Sequence, residues 1–322
     1  MLHELKVSPK TIHWGHYDAS LEPVLNVDPG DTIKINTMGL PKGHGTDFTP
    51  FGLTQDEIPL EFIRALETET SRGPGAHTLT GPIFVKSAKP QDVLEVEMVD
   101  IKPLLAFGYT AFRPESGTIP YRFPYAKTKI IRFDSKKITA ELPGGARASL
   151  KPFFGSIGVA PLPTSGRINS GPPGVHRGNM DNKELIQGSK IYLPVHAEGA
   201  LLSLGDGHAL QGDGEVSGTA IETSLTGTIR LYLRKDMRLK WPMAETPTHI
   251  ITMGFHRDLY KATKMAIHNT IDYLTEHQGM AEDDAYMLSS IAVDFHITQT
   301  VNGVKGIHGL LEKTIIGQTF KT

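Results

Sequence analysis

Cysteine is absent from the 322 residues. That excludes disulfides, thiolate metal sites and every mechanism with a Cys nucleophile, and it suits a reducing cytoplasm. Charge is scarce as well. Charged residues make up 21%, and 33 Lys+Arg against 35 Asp+Glu leave a formal charge of −2. Such a chain has no global electrostatic reason to bind nucleic acid or an anionic membrane. No run approaches the roughly 20 apolar residues of a transmembrane helix. The opening MLHELKVSPK alternates polar and apolar residues, unlike a signal-peptide core. The motifs HExxH, GxSxG, GxGxxG and the P-loop are missing too, which removes the commonest metalloprotease, serine-hydrolase and nucleotide-binding readings.

What is plentiful is punctuation: Gly 33 and Pro 22 point to many short strands joined by tight turns. Residues 22–36 hold two extended runs around Asp28-Pro29-Gly30-Asp31, a turn with Pro and Gly where a turn wants them. In 81–103, Leu94, Val96 and Met98 alternate with Glu95, Glu97 and Val99, the period-2 pattern of a half-buried strand. Strand character returns at 190–204 and 216–234, and Gly144-Gly145 marks a hairpin. Residues 38–57 read as an irregular loop, 59–70 as a short helix, and 155–181 as a Gly/Pro-rich functional loop without regular structure.

Long helix appears only late. Leu259, Thr263, Ile267, Ile271 and Leu274 form a stripe widened by Ala262 and Ala266, which predicts an amphipathic helix stopped by Gly279. A second helix is expected over about 282–293, after the acidic start Glu282-Asp283-Asp284. The fold class expected is therefore mainly β, sandwich-like, with an α+β C-terminal portion. The expected organisation is a single unit over 1–322, β-rich to about 250, with an α-containing part over about 251–312.

Chemistry concentrates in 176–222. Gly205-Asp206-Gly207-His208 and Gly212-Asp213-Gly214-Glu215 are near-copies seven residues apart. In an extended segment residues i and i+2 face the same way, so Asp206 would point with His208, and Asp213 with Glu215. The intervening glycines allow close approach or positive φ. So many acids in a small volume call for a neutralising cation, and mixed N/O donors suit Zn or Mn better than Ca. Asp-Gly pairs also make hairpin turns, so exposed turns at Asp206 and Asp213 remain the competing reading.

The stretches HTLTGPIFV (77–85), RINSGPPGVHRGNMDNKELIQG (167–188), IYLPVHAEGALLSLGDGHALQGDGEVSGTAIE (191–222), ETPTHIITMG (245–254) and DAYMLSSIAVDFHITQTVNGVKGIHG (284–309) together resemble the acetamidase/formamidase family. The DGHALQGDGE run is the most specific of them. The resemblance implies hydrolysis of the C–N bond of a small linear amide to ammonia and a carboxylate, a β-rich oligomer, and a divalent metal. Zinc is the first expectation, with Mn or Ca as alternatives. Carried over, it draws the site from Asn179, Asp181, Asp206, His208, Asp213 and Glu215; among these we assign Asp181, Asp206 and His208 as metal ligands. Glu215 is the acid/base, a ligand role being equally open, and Asn179 stabilises the oxyanion. Asp213 joins the catalytic group, and His77 and His176 line the substrate. The family's usual HGGNMD reads HRGNMD here, with Arg177 in place of a glycine. Arg177 could meet a substrate carboxylate, which keeps open a different amide or urea-like compound. A metal-stabilised binding protein without turnover is the alternative from another class.

Overall fold

The computed structural model describes residues 1–68, 72–134, 138–174 and 176–317, leaving aside the Arg177 side chain. Two sheets dominate. In order across the first, the nine strands are Leu2–Leu5, Thr32–Asn36, Leu225–Arg234, Val93–Pro103, Lys190–Pro194, Met243–Glu245, His249–His256, Lys305–Glu312 and Val293–Gln299. The second runs Arg177–Asn179, Phe153–Gly158, Leu202–His208, Thr78–Val85, Ile12–Trp14, with Leu25–Val27 paired in parallel to Thr78–Val85.

The sheets bury a common core. Ile33, Ile35, Leu94, Val96, Met98, Ile229 and Leu231 of the first join Ile83, Phe154, Ile157, Leu202 and Leu204 of the second in one cluster. Each such side chain contributes about 1.5–3 kcal/mol when fully buried. The family-like, mainly β sandwich read from the sequence is thus the fold observed, with α structure concentrated late. Both extended runs of 22–36 are strands, as are both of 81–103, but each pair divides between the two sheets. Segment 190–204 likewise starts in one sheet and ends in the other.

Three sequence expectations need correction. Val93–Pro103 is buried beyond one face, because Glu95 on its polar side is covered by Arg234 and Lys190, each at 3.0 Å. The stretch 155–181 is not irregular throughout. It begins inside the fully buried strand Phe153–Gly158, where a Cβ on Gly158 would lie 2.8 Å from the Gly178 backbone nitrogen, leaving no room for a side chain. The strand expected at 216–234 starts only at Leu225.

Helix α1 (Leu60–Glu67) buries Phe62, Ile63 and Ala65 while Leu60 is exposed. Helix α2 (Leu259–Gln278) starts where Asp258 accepts a hydrogen bond from the Lys261 N–H and ends at Gly279, φ 69°. Helix α3 (Glu282–Ala292) follows. A smaller four-stranded sheet, Arg147–Ser149, Thr139–Glu141, Lys127–Asp134 and Phe107–Phe112, includes the hairpin at Gly144-Gly145. No helix among the described residues is long and apolar enough to cross a membrane.

Candidate active site

The strand Leu202–His208 crosses the middle of the second sheet and carries the first Gly-Asp-Gly-His element. A Cβ on Gly205 would lie 2.2 Å from the Thr78 carbonyl oxygen, and one on Gly207 would lie 2.5 Å from that of Thr223. Glycine is therefore required at both, and the neighbouring backbones close tightly around the strand. Asp206 and His208 share one side, with Oδ2 and Nε2 3.5 Å apart. Glu222 comes in from the other side of an antiparallel bridge to His208 and brings Oε1 to 3.3 Å from the same Nε2.

Two further carboxylates complete the cluster. Asp181 is tied at its backbone N–H to the Gly155 carbonyl (3.1 Å). Its Oδ2 accepts from the side-chain amides of Asn179 (2.7 Å) and Asn302 (3.0 Å). Glu215 stands on a turn held to the strand Val293–Gln299 by the Gly214 N–H, which donates to the Thr298 carbonyl at 3.1 Å. One donor atom each from Asp181, His208 and Glu215 lies within 4.8 Å of the others, and the same is true of Asp206, His208 and Glu222. Asp181, Asp206 and Glu215 all adopt left-handed backbone, φ 50°, 55° and 43°. Non-glycine residues hold that conformation only where the surroundings impose it.

His208 is oriented from behind. Its Nδ1 donates to Gln211 Oε1 (2.9 Å), and the Gln211 amide donates to the Asp181 carbonyl (2.7 Å). That leaves Nε2 aimed at the carboxylates. Burial works against charge on His208, yet Glu222 and Asp206 outweigh it and hold the imidazole well above its usual range. Burial likewise opposes charge on Asp206, but His77, His208 and Lys42 keep it below the usual carboxylate range. Asp181 is pushed well up by burial and then by Glu215 and Asp206. Burial raises Glu215 to about 8, with Glu222 and Asp206 adding to it against the pull of His208.

The donor set fits a divalent cation. Asn179 Oδ1, Asp181 Oδ1, His208 Nε2 and Glu215 Oε2 are buried with no hydrogen-bond partner among the described residues, a costly state for polar atoms without an ion or solvent. A Cβ on Gly155 would sit 2.7 Å from Asp181 Oδ1, 2.8 Å from Asp206 Oδ2 and 2.8 Å from His208 Cε1, so Gly155 floors the cradle. Donors about 2.0–2.1 Å from a tetrahedral zinc are about 3.3 Å apart. The His208–Glu222 and His208–Asp206 spacings, 3.3 and 3.5 Å, match.

The residues singled out in the sequence fall in different places. Asp181, Asp206, His208 and Glu215 converge as described. Asn179 borders them with one amide N–H committed to Asp181 and its carbonyl oxygen left over. His77 lines the adjoining cleft, its Nδ1 3.0 Å from Ser170 Oγ and its Nε2 3.7 Å from Asp206. His176 is buried behind, its ring centroid 5.0 Å from that of Tyr17, and lines neither cavity described below. Asp213 lies outside the cluster, on an open turn, paired with Lys183 (2.8 Å) and His296 (3.2 Å). The second Gly-Asp-Gly is thus a turn around its aspartate, with nothing within 4 Å of a Cβ on Gly212. The Arg177 side chain lies outside the described residues. Sequence reasoning missed Glu222, although it closes the DGHALQGDGE-containing stretch, and missed Gln211 and Asn302.

Two adjoining cavities, of about 330 and 590 Å³, share Lys42, His77, Tyr109, Asp206 and Glu222 as walls and open onto the carboxylates. Trp14 floors the smaller one, with the Lys42 ammonium 5.4 Å and the Arg72 guanidinium 4.9 Å from its ring.

The model of the Acetamidase/Formamidase family matches residues 7–168 and 166–307. A formamidase-named protein of Schizosaccharomyces pombe is 29% identical over 284 residues, covering 68% of this chain and 64% of its own length. A formamidase of Methylophilus methylotrophus is 28% identical over 298 residues, covering 70% and 73%. The crystal structure of an acetamidase from Bacillus halodurans superimposes with a TM-score of 0.81 at 28% identity, covering 98% of this chain and 100% of that one.

Proposed function

The chain belongs to the acetamidase/formamidase family, and from that premise we propose that it hydrolyses the C–N bond of a small linear amide, releasing ammonia and a carboxylate, with a divalent metal in the Asp/His/Glu cluster. The observation that carries this reading is His208 Nε2, turned by Gln211 toward Asp206 and Glu222 and flanked by Asp181 and Glu215. An imidazole amid four carboxylates is a donor set for zinc, with Mn or Ca as alternatives. Asp181, Asp206 and His208 would hold the ion, joined by Glu222.

Amide resonance makes the carbonyl a poor electrophile and ammonia a poor leaving group. A bound divalent ion supplies carbonyl polarisation and an activated water. The remaining work falls to the chain. Glu215, beside Asp181 and His208, is placed to carry a proton to the departing nitrogen. Asn179 and Asn302 fix Asp181 through their side-chain amides, and the second Asn179 N–H is the donor left for the developing oxyanion. His77 shapes the entrance. Asp213 stands off this centre and is given no part in the reaction.

The cleft favours a second reading of the substrate. A cavity of about 590 Å³ falls within the range of sites for drug-sized ligands, about 300–1,000 Å³. A four-heavy-atom acetamide would leave most of it to water. An amide with a longer acyl group, or one bearing a negative charge toward Lys42 and Arg113, uses that space better. Ammonia release should be measured over formamide, acetamide, longer amides and urea, before and after chelation and zinc re-addition. Hydrolysis of any amide that disappears on chelation and returns with zinc supports the proposal. No turnover across the panel would leave a binding protein in its place.

The chain is also proposed to fold as one unit, to act in the cytoplasm, and to form a homo-oligomer. Self-association draws support from Tyr260, Tyr286, Met287 and Ile291, all exposed on α2 and α3. A monomer by light scattering would remove that last element.

A further inference from the structure

We propose that Asp213, His296 and His308 form a second divalent-metal site, separate from the catalytic cluster, that clamps the Glu215-bearing turn to the C-terminal strands. His296 and His308 lie directly opposite each other on neighbouring antiparallel strands. Their rings stack with centroids 5.4 Å apart and planes 15° from parallel, so both imidazoles leave the sheet on one side. Asp213 arrives from the turn and brings Oδ2 to 3.2 Å from His296 Nδ1, close to the edge of a tetrahedral zinc shell at about 3.3 Å. One donor atom from each of the three residues lies within 4.8 Å of the others.

The independent sign of a ligand is His308. It is fully buried, its Nδ1 is engaged by the Thr298 hydroxyl at 2.8 Å, and its Nε2 has no hydrogen-bond partner among the described residues. A hydrogen bond at the far nitrogen is how proteins fix the tautomer and orientation of a metal-binding histidine. Two imidazoles and one carboxylate suit zinc and its borderline neighbours, not calcium. The Lys183 ammonium, 2.8 Å from Asp213 Oδ2, competes with a cation for the same oxygen. Its side chain is 32% exposed, so it can swing into solvent. The turn is already stitched to the strands, with the Thr300 N–H donating to the Gly214 carbonyl at 2.9 Å. A metal on Asp213 would add a far stronger tie one residue further along.

The test uses the full chain, stripped with a chelator and titrated with Zn²⁺ by calorimetry, with bound metal counted after desalting. His296→Ala and Asp213→Asn should each lose one equivalent of zinc with unchanged circular dichroism. Lys183→Gln should bind that equivalent about tenfold more tightly, because the competing charge is gone. His208→Ala reports on the catalytic cluster alone. Loss of an equivalent in His296→Ala but none in His208→Ala leaves this proposal standing and removes the metal from the reading of the reaction. Unchanged stoichiometry in both His296→Ala and Asp213→Asn, or unchanged affinity in Lys183→Gln, overturns it and leaves Asp213, Lys183 and His296 as an ion-paired surface group over a buried His308.

Discussion

A methyl group on residue 155 would touch Asp181 Oδ1, Asp206 Oδ2 and the His208 ring at 2.7–2.8 Å. Those contacts are with side-chain ends, which can yield by a few tenths of an ångström where backbone cannot. Gly155→Ala is therefore expected to fold, to spread the donors and to lose zinc and activity together. Metal content and circular dichroism on the same preparation check this. Glu215→Gln keeps the shape of its side chain but cannot take back a proton, so kcat should fall about 10²–10⁴-fold with zinc retained. Loss of zinc in that variant would make Glu215 a ligand. The pairing of Asp206 with His208 was legible in the sequence because strand alternation is local and has period two. Glu222 was not, since its place depends on a bridge to His208 that only the folded sheet creates. The two Gly-Asp-Gly copies look alike as text. Only packing distinguishes Asp206, between glycines pressed on neighbouring backbones, from Asp213 on an open turn.

Helix α2 shows the same division between local and tertiary information. Its C-terminal limit was legible, because Gly279 is an end signal written in a single residue. Its buried face was legible only in part, through Ala262, Ala266 and Leu274. Ala262, Ala266, Thr270, Tyr273 and Leu274 are buried, whereas Thr263, Ile267 and Ile271 of the expected stripe are only partly so. The cause is Gly254 in the strand beneath. A Cβ there would come within 2.2 Å of the Ala262 carbonyl oxygen and 2.4 Å of the Ala266 nitrogen, so the helix lies directly on the strand and admits only small residues at the crossing. Gly254→Ala must move helix backbone and is expected to destabilise by about 1–3 kcal/mol, read as a lower urea midpoint at unchanged m-value.

The molecule as a whole carries an acid-sensitive interior. His13 and His308 are buried, and burial lowers their pKa values to about 3 and about 4, with neighbouring His16 and His296 respectively also opposing the proton. In the unfolded chain both return to about 6.5. Between those limits the unfolded state binds more protons, so the stability these groups contribute is fully present above pH 6.5 and is lost as pH falls toward 4. For chelated protein, the two imidazoles should lower unfolding free energy by up to roughly 3 kcal/mol per pH unit at the steepest point, read as the difference from a His13→Asn, His308→Asn double variant because the raised carboxyls of Asp181 and Glu215 titrate in the opposite sense. No difference between the two profiles over that window would place both imidazoles in contact with solvent. At this scale the sequence announced strands and turns but not the partition of successive strands between two sheets, because sheet membership is decided by partners far along the chain. That partition bears on biosynthesis. Asn36 hydrogen-bonds to Thr226, 190 residues later. A ribosome adding about 5–20 residues per second takes roughly 10–40 s to deliver that partner. Through the interval Thr32–Asn36 can pair with Leu2–Leu5, but its other edge stays open until Leu225–Arg234 appears.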